Sequence, residues 1–260
     1  MKQLIINADD FGFTTDVNAG IVQAHRQGVL TSTTLMATGD AFGDAVRLAR
    51  ATPTLDIGCH LVLVQGTSVL TGRELPTGPR ALISALARNR IDVYPELRAQ
   101  IEKITACGLK LSHLDTHKHT HIVPTVFRAV VRLAAEFRIP YVRLPLDSTL
   151  PCQTWIAPFR RLYLRIANRR AIKTTDHFMG FRLTGSLNEA SFAAAIRALP
   201  EGTTEFMCHP GYLGPDLAAA DTRLKESRVR ELEALTSPRI KQLINESKVR
   251  LRPFCAATLP

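Results

Sequence analysis

Four of the eight histidines in this chain fall within nine positions, in the segment His113-Leu-Asp-Thr-His-Lys-His-Thr-His121. On an extended backbone His113, Asp115, His117, His119 and His121 would all project from one face. Neutral imidazole is a common transition-metal ligand, and one carboxylate with two imidazoles leaves coordination positions open for water and substrate. A second centre is the adjacent pair Asp9 and Asp10, just after the apolar run Leu4 to Ile6. Strand neighbours point to opposite faces, but where a strand gives way to a loop both can turn inward, one as ligand and one as base. Phe11-Gly12 continues that loop instead of starting a helix, which weakens a helix-capping role for the pair. His60, after Gly58-Cys59, and His209, in Cys208-His209-Pro210-Gly211, are lone histidines. Each reads as a turn or core residue or as a functional one, and an imidazole at 209 would suit a general acid. Arg143 could orient a carboxylate, bind substrate or be surface charge, and Gly12, Gly58 and Gly211 read as points of backbone relief.

These residues need elements to hold them, and the chain supplies a strand–turn–helix rhythm. Strands are expected at Leu4 to Ile6, Leu30 to Met36, Asp56 to Val64, Ser112 to Asp115, Tyr141 to Leu144, Thr204 to Met207 and Val249 to Leu251. Helices are expected at Asp16 to Arg26, Ala41 to Ala51, Pro95 to Cys107, Pro124 to Phe137, Leu187 to Leu199 and Thr222 to Leu235, with Gln65 to Pro79 a loop over the site. Alternation of this kind argues for an α/β fold with a parallel sheet and outer helices, a (β/α) barrel or an open doubly wound sheet. Asp9, Asp10, Asp115, His117 and His209 fall at or just after strand ends, where barrel active sites are built, and a closed sheet would bring those ends together.

Length and composition fit one large domain over residues 1–260, with 45% apolar and 22% charged residues. The formal charge of +10 is spread along the chain. Its local concentrations, Arg160 to Lys173 and Arg223 to Arg230, contain only Tyr163 as an aromatic, which argues for a basic solvated surface and against a nucleic-acid partner. Five cysteines, Cys59, Cys107, Cys152, Cys208 and Cys255, show no C-x-x-C spacing and imply no disulfide framework. The N-terminus does not read as a signal peptide, and no apolar run nears the roughly 18 residues of a membrane span. A cytoplasmic protein is expected.

NADDFG (Asn7 to Gly12), VLTSTTLM (Val29 to Met36), IGCHLVL (Ile57 to Leu63), HLDTHKHTHIVP (His113 to Pro124), VRLP (Val142 to Pro145), DHFMGF (Asp176 to Phe181) and TTEFMCHPGY (Thr203 to Tyr212) run in order over most of the chain. Together they resemble the YdjC-like carbohydrate deacetylases, which include chitooligosaccharide deacetylases and HpnK-like deacetylases of the hopanoid pathway. The resemblance implies a distorted (β/α) barrel with its active site at the C-terminal strand ends, and one divalent ion held by Asp10, His60 and His117. Mg or Zn come first, with Mn, Co and Ni compatible with such a set. Asp9 then corresponds to the general base, His209 is assigned as general acid, and Asp115, His119, His121 and Arg143 stand behind the ligands or touch the sugar. The implied reaction is hydrolysis of the N-acetyl group of an N-acetylated sugar, oligosaccharide or glycolipid, giving acetate and a free amino sugar, in a protein that forms dimers. Gln65 to Asn89 is short beside many relatives, which bears on the substrate pocket. Two other readings stay open, because fold does not fix reaction class: a metal hydrolase of a phosphoester or cyclic amide, and a non-catalytic sugar-binding protein.

Overall fold

Leu4-Ile5-Ile6 is apolar without alternation, the mark of a strand covered on both faces, and all three side chains are fully buried. They form the middle of β1 (Lys2–Phe11), the central strand in a computed structural model that describes residues 1–150 and 153–255; Cys152 lies outside the described residues. The other strands are β2 (Ser32–Leu35), β3 (Asp56–Leu61), β4 (His113–Thr116), β5 (Tyr141–Val142), β6 (His177–Met179), β7 (Gly202–Cys208) and β8 (Arg250–Leu251). Every pairing between them is parallel, in the order β5-β4-β3-β2-β1-β7-β6. β7 pairs with β1 from Lys2↔Gly202 to Ala8↔Cys208, while β8 and β2 share the opposite edge, at Gln3–Leu4 and from Asn7 onward.

This order is a closed 1-to-7 circuit opened between β5 and β6. Across the gap, Tyr141 and Lys173 form a single parallel bridge, and the Ser148 amide donates to the Phe178 carbonyl at 2.7 Å. The sheet therefore curls into a half-barrel flanked by helices, the distorted α/β barrel expected. Those helices are α1 (Thr15–Gln27), α2 (Phe42–Arg50), α3 (Pro79–Ala87), α4 (Val93–Thr105), α5 (Pro124–Glu136), α6 (Gln153–Asn168), α7 (Glu189–Arg197), α8 (Pro215–Ala219), α9 (Glu226–Thr236) and α10 (Pro238–Glu246). Their starts follow local chemistry: the Thr14 hydroxyl caps α1 by accepting from the Val17 amide, and Asn188 with Ser191 forms a capping box on α7. α3, α6, α8, β6 and α10 were not anticipated. α6 carries Pro158 in its interior and many arginines, which hides its periodicity. Among the described residues no helix is long and apolar enough to cross a membrane.

Candidate active site

β1 delivers two adjacent carboxylates to one cavity, which a regular strand would not do. Asp9, Asp10 and Phe11 belong to the strand instead of the expected loop, but its register against β2 slips between Ala8 and Phe11. Asp10 adopts φ 71°, a left-handed conformation that costs a non-glycine residue about 1–3 kcal/mol. The slip breaks the alternation, and both side chains line a cleft of about 1140 Å³ at the C-terminal end of the sheet.

His60 enters from β3 and His117 from the turn after β4. Asp10 Oδ1 lies 3.1 Å from His117 Nδ1 and 3.4 Å from His60 Nε2, and the two ring nitrogens are 3.3 Å apart. Donor atoms of the three residues all fall within 4.8 Å of one another. One carboxylate and two imidazoles at such separations fit a divalent cation. The other His60 nitrogen, Nδ1, donates to Asp115 Oδ1 at 2.7 Å, and the Thr34 hydroxyl donates to Asp115 Oδ2 at 3.2 Å, which fixes the ring's orientation. Burial resists charging of His60, yet Asp115, Asp9 and Asp10 raise it to about 10. Such a site demands positive charge at this point, and a metal ion satisfies that demand as a proton does.

Beneath this group lies Arg143, 1% exposed. It grips Asp9 with two 2.7 Å bonds, and also meets Asp115 Oδ2 at 2.8 Å and Glu205 Oε1 at 2.7 Å. Burial opposes ionisation of Asp9, but Arg143 outweighs it and holds the carboxyl well below its ordinary range. Arg143 therefore orients carboxylates and is neither surface charge nor part of the cleft wall. Asp10 is likewise held low, against burial, by Arg228. His209 follows β7 and lines the cleft; its amide donates to Glu231 Oε2 at 2.5 Å, and its Nδ1 is buried with no hydrogen-bond partner among the described residues. Burial, partly offset by Asp10 and Asp9, lowers it to about 4.

The four clustered histidines do not share one face. β4 ends at Thr116, and Lys118 and His119 turn left-handed at φ 51° and 50°. His119 reaches the cleft against Phe181, whereas His121 sits deeper, bonded to Thr116 Oγ1 and to the Arg143 carbonyl. His113 contacts Asn7 Oδ1 at 2.9 Å, and Asn7 in turn donates to Asp9 Oδ1 at 3.0 Å. Gly58 serves this packing through close approach, since a Cβ there would lie 2.5 Å from the His113 ring.

A family model described as YdjC-like protein matches residues 3–246. The chain belongs to the YdjC-like family. Among relatives, a carbohydrate deacetylase of Brevibacillus brevis is 36% identical over 97% of this chain and 98% of its own length. Carbohydrate deacetylase 2 of Listeria innocua is 38% identical, with 96% of each chain covered. A crystal structure from Enterococcus faecalis, provisionally described as a cellobiose-phosphate cleavage protein, superposes with a TM-score of 0.83 at 27% identity, covering 99% of both chains.

This YdjC-like chain also uses residues the sequence reading missed. Arg228 Nη2 donates to Asp10 Oδ2 at 2.5 Å, though it had been counted within a solvated basic run. The signal was there: Arg228, Glu231, Leu232 and Leu235 are buried at helical spacing on α9, so two charges occupy the apolar face. Glu205, a lone carboxyl in the otherwise uncharged strand β7, is the other omission.

Proposed function

We propose that the cleft hydrolyses the acetamide of an N-acetylated sugar with one divalent ion, releasing acetate and a free amino sugar. The observation that carries this reading is the convergence of Asp10, His60 and His117 beside Asp9 on the cleft floor. The substrate class comes from the relatives' names. Asp10, His60 and His117 would hold the ion, which when bound supplies Lewis acidity towards the carbonyl and acidifies water. Mg or Zn suits the set.

Around it the chain's own groups move protons. Asp9, kept ionised and oriented by Arg143, accepts a proton from the attacking water; so weak a base depends on the acidity that a bound ion would give that water. His209 donates to the departing amine. Burial holds His209 neutral, with Asp10 and Asp9 only partly offsetting it, so the proton it gives to the amine is the one Asp9 takes from the water, relayed through the imidazole. Asp115 keeps the His60 ring turned, and His119 with Phe181 forms a wall that a sugar can pack on. An oligosaccharide and the sugar head of a glycolipid both present this acetamide, and the cytoplasmic location expected from the sequence is kept in this proposal.

The test is acetate release from N,N'-diacetylchitobiose and other N-acetylated sugars, before and after chelation, with Mg, Zn, Mn, Co and Ni added back singly. Metal-restored acetate release is expected. Phosphate release from a phosphorylated disaccharide with no acetate from any sugar would replace the assignment, and near-normal turnover in both Asp9→Asn and His209→Ala would overturn the roles.

A further inference from the structure

Most of the exposed large apolar side chains, Met1 and Ile83 apart, lie in segments beyond the C-terminal ends of strands. Leu70 follows β3, Ile122 follows β4, Trp155 opens the helix after β5, Phe181 follows β6, and Tyr212 and Leu213 follow β7. Each occupies a segment leaving the C-terminal end of a strand, the end at which the cleft opens. The approach to α6 is fixed beside that opening: the Ser148 amide donates to the Phe178 carbonyl, and Arg182 Nη1 donates to the Thr149 carbonyl at 3.1 Å, next to Phe181 on the cleft wall.

α6 adds a continuous stripe. Trp155 is 81% exposed, Phe159 55% and Leu162 36%, at i, i+4 and i+7 on one face, while Tyr163 and Ala167 pack inward. No Asp or Glu occurs from Ser148 to Thr175, a stretch containing Arg160, Arg161, Arg165, Arg169, Arg170 and Lys173. Arg161, Arg165 and Arg169 are exposed beside the stripe.

We propose that the exposed face of α6 forms a peripheral docking face for a bilayer containing anionic lipid, with the apolar rim and the cleft mouth held beside the headgroups at the Trp155 end of the helix. A helix with Trp, Phe and Leu on one side and arginines flanking them lies in the interface plane, its rings buried at the acyl boundary and its guanidinium groups on lipid phosphates. A second copy fits this face poorly, because self-pairing would set Arg161 and Arg165 of one copy against those of the other. The docking face stands independently of the reaction assigned to the cleft.

Trp155 is the chain's sole tryptophan, so its fluorescence reports on this face directly. The intact protein is titrated with phosphatidylcholine vesicles, with and without phosphatidylglycerol, reading emission and co-sedimentation. Expected are a blue shift and co-sedimentation only with phosphatidylglycerol, both weakening as salt rises. Phe159→Ser with Leu162→Ser, and separately Arg161→Glu with Arg165→Glu, should each weaken vesicle binding by at least about tenfold, with far-UV circular dichroism unchanged. Absence of shift and co-sedimentation on phosphatidylglycerol vesicles in the unaltered protein overturns the proposal. So does a blue shift that tracks protein concentration without vesicles alongside a doubled mass in light scattering, which assigns the face to a second copy.

Discussion

Asp9 and Asp10 are neighbours in the chain and each meets a buried arginine, yet the two arginines are built into the protein differently. Arg143 leaves the end of β5 and is surrounded by Asp9, Asp115 and Glu205, with Phe178 under its guanidinium at 5.1 Å. Arg228 comes from α9, lines the cleft, bonds Asp10 and the Leu224 carbonyl, and leaves Nη1 buried without a hydrogen-bond partner among the described residues. One is a counter-charge beneath the floor with each guanidinium nitrogen bonded; the other is anchored on one side in the cleft lining, with one nitrogen left unpaired among the described residues. The difference teaches that a buried arginine's role is read from its spare donors as much as from its partners.

Arg143→Met tests the saturated side and carries the largest expected effect. Three buried carboxyls lose their common cation, which should cost about 3–5 kcal/mol in urea unfolding. Loss of a fixed, ionised Asp9 should lower kcat for acetate release about 10²–10⁴-fold. A smaller loss here than at Arg228 would invert the comparison.

Arg228→Gln tests the open side. Asp10 keeps its contacts with His117 and His60, so the stability loss should be nearer 1–3 kcal/mol. The missing donor should appear mainly as a KM raised about tenfold. A fall in kcat with KM unchanged would place Arg228 with Arg143 as a support of the carboxylates alone.

The same contrast explains what the sequence disclosed. Asp9, Asp10 and Asp115 drew notice as polar side chains at the ends of apolar strands, while His209 read equally as a turn residue; the alternation of elements implied a parallel sheet with outer helices, and the family resemblance chose the barrel over an open sheet. His60 was ambiguous alone, since nothing local distinguishes a ligand from a packed histidine. The shared histidine face failed because alternation holds only while the strand continues, and β4 stops at Thr116. Arg228 and Glu205 were missed because their partners lie far along the chain, at separations of 218 and 62 residues. No local pattern encodes such pairings; only a charge on an otherwise apolar face hints at them.

Each arginine also neighbours a carboxyl whose proton affinity is raised, and this gives the smallest and sharpest test. Burial, partly offset by Arg143, pushes Glu205 from its ordinary 4.5 up to about 7; burial likewise raises Glu231, beside Arg228 on α9, to about 7. For either group the folded value exceeds the unfolded one. Its contribution to stability is therefore complete below about pH 4.5, shrinks as pH rises towards 7 because the folded chain retains a proton the unfolded chain has released, and is gone above that. Glu205→Gln and Glu231→Gln stay neutral throughout. Each should flatten the fall in urea-unfolding free energy between pH 5 and pH 8 by on the order of 1–3 kcal/mol. A flattening in Glu205→Gln alone would confine the retained proton to the Arg143 network, and parent-like slopes in both variants would show that Arg143 and Arg228 keep these carboxyls ionised in the folded protein.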